Sequence, residues 1–279
     1  MTKLFLSLLA RTYGVYLNIL SFFSSKKAAK IAFKLFATPR KGKVLPQQVD
    51  FLQKAKKEVV LAEGIHIQVY QWKGNKETIL LMHGWESNAF RWRNLIGFLQ
   101  KSDYNIIALD GPGHGYSTGK TFSVPMYTKV TQVLIEKYCP NHIIAHSLGG
   151  TAALYNNYLY TNASVNKMII LGAPSEFKKI VSNYKQLLRF NNRVLKALNS
   201  YIHNIFDFEI DEFSIAEFVK TNTKKGLLIH DEFDKIAHCS NSEMIHKNWG
   251  NSTFIKTQGL GHSLQYKVVN QQIIDFLNT

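Results

Sequence analysis

The stretch HIIAHSLGGTAALYNNYLY, residues 142–160, places a strand, a turn and a helix in direct succession. An apolar run leads into Ser147, small residues flank this serine, and the residues after it have helical periodicity. A turn of this kind exposes the serine hydroxyl, and the N-terminus of the following helix directs backbone N–H groups at negative charge that develops there. The stretch therefore predicts a domain of strands and helices in which Ser147 is a candidate nucleophile.

A second serine matches the usual nucleophile pattern more completely than Ser147 does. GYSTG, residues 115–119, is a full G-x-S-x-G match around Ser117, whereas Ala145 replaces the first glycine of the pattern before Ser147. Ser117 follows the glycine loop GPGHG, however, and the residues after it do not begin a helix. Because the chemistry depends on strand–turn–helix geometry, we predict that Ser147 is the nucleophile. Alanine is the next smallest residue after glycine, and this position is the one least expected to need a positive φ.

Strand-like and helix-like segments alternate on both sides of this stretch. Residues 58–72 are typical of an antiparallel hairpin. Six apolar runs are typical of strands buried on both faces: 78–84, 104–110, 142–147, 167–174, 226–232 and 252–259. Helix-like segments lie between and after them at 91–100, 127–138, 148–160, 242–249 and 268–277. The alternation predicts an α/β fold with a mostly parallel, twisted sheet flanked by helices.

The interval 175–224 interrupts this alternation with helical periodicity and no strand. An insertion between two strands of such a sheet lies over the carboxyl ends of the strands, where ligands bind. We therefore predict a helical cap at 175–224 and a core formed by 58–174 and 225–279. The remaining residues, 1–57, form a predicted basic, amphipathic helical extension.

The N-terminal extension carries most of the net charge. Of the formal charge of +15, residues 1–60 contribute +10, from twelve Lys or Arg and two acids. Residues 4–23 are strongly apolar, but Arg11 in the middle of the run argues against a membrane-spanning helix. The apolar run continues into lysines, which is not typical of a cleaved signal peptide. In KKAAKIAFKLF, residues 26–36, lysines occupy one helical face and apolar residues the other.

Two interpretations of these helices stay open. In one, the protein is cytoplasmic, and residues 1–45 make peripheral contact with the anionic inner surface of the membrane. In the other, the helices pack on the rest of the protein and the lysines are solvated. Nucleic acid is not an expected partner, because the sequence has no recognition-helix motif and no zinc spacing. Cys139 and Cys239 form neither a metal-ligand spacing nor a disulfide framework, so we expect two packed, reduced thiols.

Several motifs in chain order resemble those of the α/β-hydrolase family. LLMHGW resembles the family's His-Gly oxyanion-loop motif, and ALDGPGHGYS resembles the loop after its next strand. AHSLGG resembles the nucleophile turn, while LLIHDEFDKIA and GLGHSL resemble the segments that carry the catalytic acid and histidine. The resemblance covers roughly residues 58–279 and implies the α/β-hydrolase fold.

The resemblance also implies roles for particular residues. His262 would be the general base for Ser147. The acid would come from HDEFDKIA, where the family pattern selects Asp234. Glu232 is the second candidate, and Asp231 occupies the position that is usually glycine. The backbone N–H groups of Trp85 and Leu148 would form the oxyanion hole, and Asp110 would fix a loop.

These roles predict a serine hydrolase that cleaves carboxylic or thio esters through an acyl-enzyme, with an apolar acyl ester as the small-molecule substrate. The same three side chains would support an acyltransferase or a carbon–carbon bond hydrolase. A non-catalytic binding protein of the same fold is the third hypothesis. No cofactor and no metal are expected. The sequence does not predict an oligomeric state or an acyl chain length.

Overall fold

The computed structural model describes the backbone of residues 3–279 and the side chains of residues 8–279. Met1 and Thr2, with which the predicted extension begins, lie outside the described residues. The sheet is built from β1 (Lys56–Ala62), β2 (Ile65–Trp72), β3 (Thr78–Met82), β4 (Asn105–Leu109), β5 (His142–His146), β6 (Lys167–Leu171), β7 (Lys225–Asp231) and β8 (Ser252–Thr257).

These strands form one sheet in the order β1-β2-β4-β3-β5-β6-β7-β8. The hairpin β1–β2 is antiparallel and adds antiparallel to β4, while β4, β3, β5, β6, β7 and β8 pair in parallel. Strands β3 to β7 are buried along almost their whole length, as the uninterrupted apolar runs predict. The predicted mostly parallel α/β sheet is confirmed.

The helices lie before, between and after these strands along the chain, and three of them lie within the predicted insertion 175–224. They are α1 (Lys3–Phe23), α2 (Ser25–Ala37), α3 (Pro46–Gln53), α4 (Arg93–Lys101), α5 (Val124–Tyr138), α6 (Leu148–Leu159), α7 (Phe177–Leu188), α8 (Asn192–Phe206), α9 (Ile215–Phe218), α10 (Ser240–Asn248) and α11 (Lys267–Leu277). The sequence reasoning missed α3, which has few apolar residues. It begins with proline at its first position, and Gln48 Oε1 accepts a hydrogen bond from the Leu45 N–H.

The chain forms two compact units. The core unit consists of Pro39–Ser175 and Ile215–Thr279 and contains the whole sheet. Residues 39–45, which precede α3, pack within this unit: Arg40 N–H donates to Glu86 Oε1 (3.0 Å), and Asn88 Nδ2 donates to the Gly42 carbonyl (3.3 Å). The backbone near residue 42 is thereby fixed against the loop that follows β3.

The helical unit consists of the residues up to Thr38 together with Glu176–Ser214. Helix α2 packs on α8, and α1 packs on α2, α7 and α8. Ala28 and Ala32 on α2 are fully buried, whereas the four lysines of this helix are exposed, so the predicted amphipathic helix is observed. Helices α7 and α8 are separate because Arg189 has a left-handed backbone (φ 59°) and Asn191 caps α8 by accepting from the Val194 N–H.

No helix within the described residues is both long enough and apolar enough to cross a membrane. Both cysteines are free, and Cys239 is buried as expected. The expectation of a packed thiol is wrong for Cys139, which is exposed at the left-handed C-terminal end of α5.

Candidate active site

Ser147 occupies the turn between β5 and α6. Its backbone has φ 52° and ψ −126°, a combination that costs a non-glycine residue roughly 1–3 kcal/mol and that clusters at functional sites. The Ser147 N–H donates to the Leu171 carbonyl (2.8 Å), and the Ser147 carbonyl accepts from the Thr151 N–H (3.1 Å). The strained turn is therefore held by β6 on one side and by the first turn of α6 on the other.

Small residues around Ser147 allow α6 to approach the sheet closely. A Cβ at Gly149 would lie 2.5 Å from the His83 carbonyl oxygen and 2.6 Å from that of Met82. Ala145, in contrast, lies in β5 and pairs with Met82 and Ile170 in an extended backbone. The alanine at the first glycine position is accommodated because the strand does not require a positive φ there.

The structure brings Ser147, His262 and Asp234 together. His262 Nε2 lies 3.1 Å from Ser147 Oγ, and His262 Nδ1 lies 2.6 Å from Asp234 Oδ2. Because the carboxylate can only accept at neutral pH, Nδ1 carries the proton and Nε2 is left to accept from the serine hydroxyl. This tautomer is the one that a general base requires.

Asp234 is held in place by four donors. Its Oδ1 accepts from the N–H groups of Ile236 (2.8 Å) and Ala237 (3.1 Å). Its Oδ2 accepts from His262 and also from His230 Nε2 (3.1 Å). Burial alone would raise the pKa of Asp234, but the hydrogen bonds from His230 and His262 outweigh it and lower the pKa well below its usual value. The carboxylate is therefore ionised beside His262.

The two other acids of the same segment have different partners. Asp231 Oδ2 accepts from the Leu260 N–H (2.8 Å) and from Thr257 Oγ1 (3.0 Å), which ties β7 to the loop after β8. Glu232 accepts from Gln258 Nε2 (2.8 Å) at the surface. Of the three acids in HDEFDKIA, only Asp234 contacts the ring of His262 among the described hydrogen bonds.

Two backbone N–H groups flank the turn at Ser147. Leu148 is the first residue of α6, so its N–H has no acceptor within the helix. Gly84 lies against the turn, because a Cβ there would lie 2.8 Å from Ser147 Cβ, and the Trp85 N–H follows it. Neither N–H donates to an acceptor within the part of the chain that the structure describes. The two predicted oxyanion donors are thus adjacent to Ser147.

His83 fixes the direction of the Trp85 N–H. Its Nδ1 lies 2.7 Å from the Gly84 carbonyl oxygen, and its Nε2 accepts from the Gly111 N–H at 2.7 Å, so the proton is on Nδ1. Burial lowers the pKa of His83 well below its usual value, so the ring is neutral. In a planar trans peptide the N–H points opposite to the C=O. The bond to the Gly84 carbonyl therefore directs the Trp85 N–H away from His83.

Ser117 lies in a structural loop, and the described hydrogen bonds of its hydroxyl do not involve His262. Its Oγ donates to the Asp110 carbonyl (2.6 Å) and accepts from the Gln68 N–H (2.9 Å). The Asp110 carboxylate in turn accepts from Tyr70 Oη (2.9 Å) and from the N–H groups of Ala89 (2.8 Å) and Tyr116 (2.9 Å). This matches the loop-fixing role that the resemblance implies for Asp110.

Three buried side chains that support His262 were not assigned to the site from sequence. His146 Nε2 lies 2.8 Å from the His262 carbonyl, and Arg91 Nη2 donates to the Ser263 carbonyl (3.0 Å). Burial lowers the pKa of Arg91 to about 9. His230 supports Asp234, and its Nδ1 lies 2.7 Å from Ser242 Oγ. Two features of the sequence could have indicated these contacts: His146 directly precedes Ser147, and His230 lies four residues before Asp234.

Within residues 3–279 there is no group of three or more His, Cys, Asp or Glu side chains arranged to hold a metal ion. The polar groups around Ser147 instead form one connected hydrogen-bonded set that ends at the serine hydroxyl. Such a set can remove a proton from the hydroxyl and stabilise the resulting imidazolium.

Comparison with known proteins places this chain in a family. The model of the family described as "Serine aminopeptidase, S33" matches residues 73–266. This range contains the serine, the histidine, the aspartate and both N–H donors. The range that the family model matches therefore includes all of the predicted site residues.

Individual proteins resemble the chain at identities below 30%. The uncharacterized hydrolase YugF of Bacillus subtilis (strain 168) is 24% identical, with 76% of this chain and 94% of that protein covered. A serine hydrolase-like protein of Danio rerio is 28% identical over 47% of this chain, and the match spans only 43% of that protein. The solved structure of an esterase from Exiguobacterium antarcticum is similar in fold (TM-score 0.65, 16% identity, 80% of this chain and all of that one).

Proposed function

Because the chain belongs to the serine aminopeptidase S33 family of α/β-hydrolases, we propose that it is a serine hydrolase that cleaves carboxylic or thio esters through an acyl-enzyme. One observation carries the proposal. The hydroxyl of a serine with a strained backbone is 3.1 Å from a histidine whose other nitrogen is 2.6 Å from a buried carboxylate. Activated nucleophiles have this arrangement of three groups.

In the first half of the reaction, Ser147 Oγ attacks the carbonyl carbon of the ester while His262 Nε2 takes the hydroxyl proton. The carbonyl oxygen becomes an oxyanion, which the N–H groups of Trp85 and Leu148 stabilise. The carbon–oxygen or carbon–sulfur bond then breaks, and the leaving group receives the proton from His262. Asp234 stays ionised and stabilises the imidazolium throughout.

In the second half, His262 takes a proton from water, and the resulting hydroxide attacks the acyl carbon. The second tetrahedral intermediate collapses, the carboxylic acid leaves, and Ser147 regains its proton from His262. Water thus supplies the hydroxide that attacks the acyl carbon and the proton that returns to Ser147 through His262.

Two observations favour an ester over a substrate with a free α-amino group. The described chain has three buried aspartates, Asp110, Asp231 and Asp234, and each already accepts hydrogen bonds from the protein. None of them is left to pair with a substrate ammonium group. Phe233 and Ile236, on either side of Asp234 and the exposed Lys235, are apolar side chains that are 60% and 74% accessible, which suits an apolar acyl chain.

The first experiment tests the nucleophile without knowledge of the substrate. A fluorophosphonate probe phosphonylates activated serines, and we expect stoichiometric labelling that intact mass and peptide mapping place on Ser147. Ser147→Ala should abolish the labelling. Ser117→Ala is the matched control, because it removes the serine of the more complete motif, and it should label normally. Folded wild-type protein that does not react would contradict the proposal and favour the non-catalytic binding role.

The second experiment defines the acyl group. We expect hydrolysis of p-nitrophenyl esters from acetate to palmitate with a maximum at a medium or long chain, and hydrolysis of matching acyl thioesters. An aminoacyl p-nitroanilide should not turn over. Protein that labels on Ser147 but hydrolyses no ester would shift the assignment to acyl transfer, tested with an added alcohol, or to cleavage of a carbon–carbon bond, tested with a 1,5-diketone.

A further inference from the structure

Helix α1 packs by one narrow side and exposes most of its large apolar residues. Gly14, Leu17 and Ser21 are buried in the helical unit, the last two with 0% exposure. Eight of its large apolar side chains are 38–84% exposed: Leu8, Leu9, Tyr13, Val15, Tyr16, Ile19, Phe22 and Phe23, which we name the apolar stripe. This is the reverse of the usual arrangement, in which a helix on a protein surface buries its apolar face.

The apolar stripe occupies one side of α1, and the exposed Thr12 lies among its members. At about 100° per residue, its members are centred near Ile19 on one side of the helix, and Leu17 and Ser21 lie on the opposite side. At 1.5 Å per residue the stripe extends about 22 Å from Leu8 to Phe23. Two of its members are tyrosines, which are enriched where one end of a side chain is apolar and the other is hydrated. Exposed apolar surface of this extent marks an interaction site.

Positive charge surrounds the apolar stripe. Arg11 is exposed on α1, and the guanidinium carbon of Arg193 lies 5.5 Å from the ring centroid of Phe22. The chain then continues into α2, whose exposed lysines we name the lysine face: Lys26, Lys27, Lys30 and Lys34. Residues 1–38 contain no Asp or Glu. A partner of this surface must therefore offer apolar material and negative charge together.

We propose that the apolar stripe and the lysine face form a docking surface for an anionic lipid membrane. The stripe inserts into the boundary between headgroups and acyl chains with α1 parallel to the membrane plane, because the opposite side of α1 is packed on the protein. The lysines and Arg11 contact lipid phosphates. The inference is independent of the ester chemistry, since every residue that carries it belongs to the helical unit.

A second copy of the chain fits this surface less well than lipid does. In a two-fold symmetric dimer the stripe of one copy would cover that of the other, and the interface region would contain two lysine faces and two Arg11 side chains. These like charges would repel and would have no acidic residue of 1–38 to offset them. An anionic bilayer has the complementary sign and accepts the apolar side chains.

The test measures partition of the chain of residues 1–279 onto vesicles by co-sedimentation. We expect binding to vesicles of phosphatidylcholine with phosphatidylglycerol and at least tenfold weaker binding to phosphatidylcholine alone. Raising the salt to about 1 M, where the Debye length is about 3 Å, should weaken the binding to anionic vesicles. Equal partition onto the two compositions, or no binding to either, would overturn the proposal.

The apolar contribution is tested by Ile19→Gln/Phe22→Gln/Phe23→Gln, which we expect to lower the partition coefficient by at least about tenfold. These side chains are exposed, so the fold should persist, and circular dichroism checks this. The matched control replaces exposed apolar residues of the core unit, Val59→Gln/Leu61→Gln/Val268→Gln, and should bind like the wild type. Equal losses in the two variants would mean that α1 is not the docking element.

The charge contribution is tested by Lys26→Gln/Lys27→Gln/Lys30→Gln. We expect about a fivefold loss of binding per lysine on anionic vesicles and no change on neutral ones. The control Lys54→Gln/Lys101→Gln/Lys267→Gln removes the same charge from the core unit and should have a smaller effect. A second copy of the chain is the alternative occupant of this surface, and light scattering tests for it. If the wild type is a stable dimer and Ile19→Gln/Phe22→Gln/Phe23→Gln is a monomer, the proposal is overturned.

Discussion

Ser117 and Ser147 each stand two residues before a glycine in the core unit, and both are buried, yet their hydroxyls have different partners. Ser117 Oγ uses its proton and a lone pair within its own loop, through the Asp110 carbonyl and the Gln68 N–H. Ser147 Oγ has His262 Nε2 as its described partner. The backbone explains the difference, because Ser147 has φ 52° between a strand and a helix, whereas Ser117 has no positive φ. A match to G-x-S-x-G therefore indicates a nucleophile only where the backbone forms a sharp turn between a strand and a helix.

The largest expected effect separates these two serines by rate and by stability. Ser147→Ala should lower kcat/KM for a p-nitrophenyl ester by roughly 10⁴–10⁶-fold, because the nucleophile is lost while binding persists. Ser117→Ala should keep most of the activity and lose about 1–3 kcal/mol of stability, since a buried carbonyl and N–H lose their partner. Steady-state kinetics and urea unfolding measure the two quantities. An inactive but fully stable Ser117→Ala protein would reverse the assignment.

The second prediction tests the acid that orients His262. Asp234→Asn should lower kcat by about 10³–10⁴-fold, because the amide no longer stabilises the imidazolium and favours the wrong tautomer. Glu232→Gln is the matched control and should leave kcat unchanged, since Glu232 contacts Gln258 at the surface. Equal rate losses in the two variants would show that the acid was misassigned.

The strands and the turn at Ser147 could be predicted because they depend on local sequence. The apolar runs of β3 to β7 and the small residues around Ser147 each determine their own conformation. The break between α7 and α8 was not predicted, because it depends on a left-handed backbone at Arg189 and on Asn18 of α1, which donates to the Arg189 carbonyl and accepts from the Asn191 N–H. A contact between residues so distant in sequence leaves no periodic pattern.

The site was predicted less completely than the fold. Spacing alone left Asp234 and Glu232 both available as the acid, and the distance to His262 distinguishes them. His230 was given no role, because its contact with Asp234 requires the sharp turn that follows β7. The apolar residues of α1 predicted a helix correctly, but a helical pattern does not state which face is covered by other residues.

The third prediction concerns the N–H beside Ser147 that His83 directs. His83→Gln should lower kcat by about 10–10²-fold with little change in KM, because the Trp85 N–H loses its fixed direction toward the developing oxyanion. His83→Asn places an amide N–H close to the position of Nδ1 and should restore part of kcat.

Both His83 variants lose one buried hydrogen bond, so their stabilities should fall by similar amounts, about 1–3 kcal/mol. If His83 had only a structural role, the two variants would have similar kcat values, because their stabilities are similar. A positioning role would separate them, with His83→Asn faster than His83→Gln at equal unfolding free energy.

The smallest expected effect comes from completing the motif at Ser147. Ala145→Gly restores the glycine that Ser117 has and Ser147 lacks, yet we expect kcat/KM to stay within about twofold of the wild type. Ala145 is fully buried in extended β5, so the glycine gains no conformation that the turn needs. It instead adds backbone entropy to the unfolded chain and removes a packed methyl group, and stability should fall by about 0.5–1 kcal/mol or slightly more. A rise of tenfold or more in kcat/KM, with unchanged thermal stability, would mean that the alanine strains the turn and that the first glycine of the motif acts on the nucleophile itself.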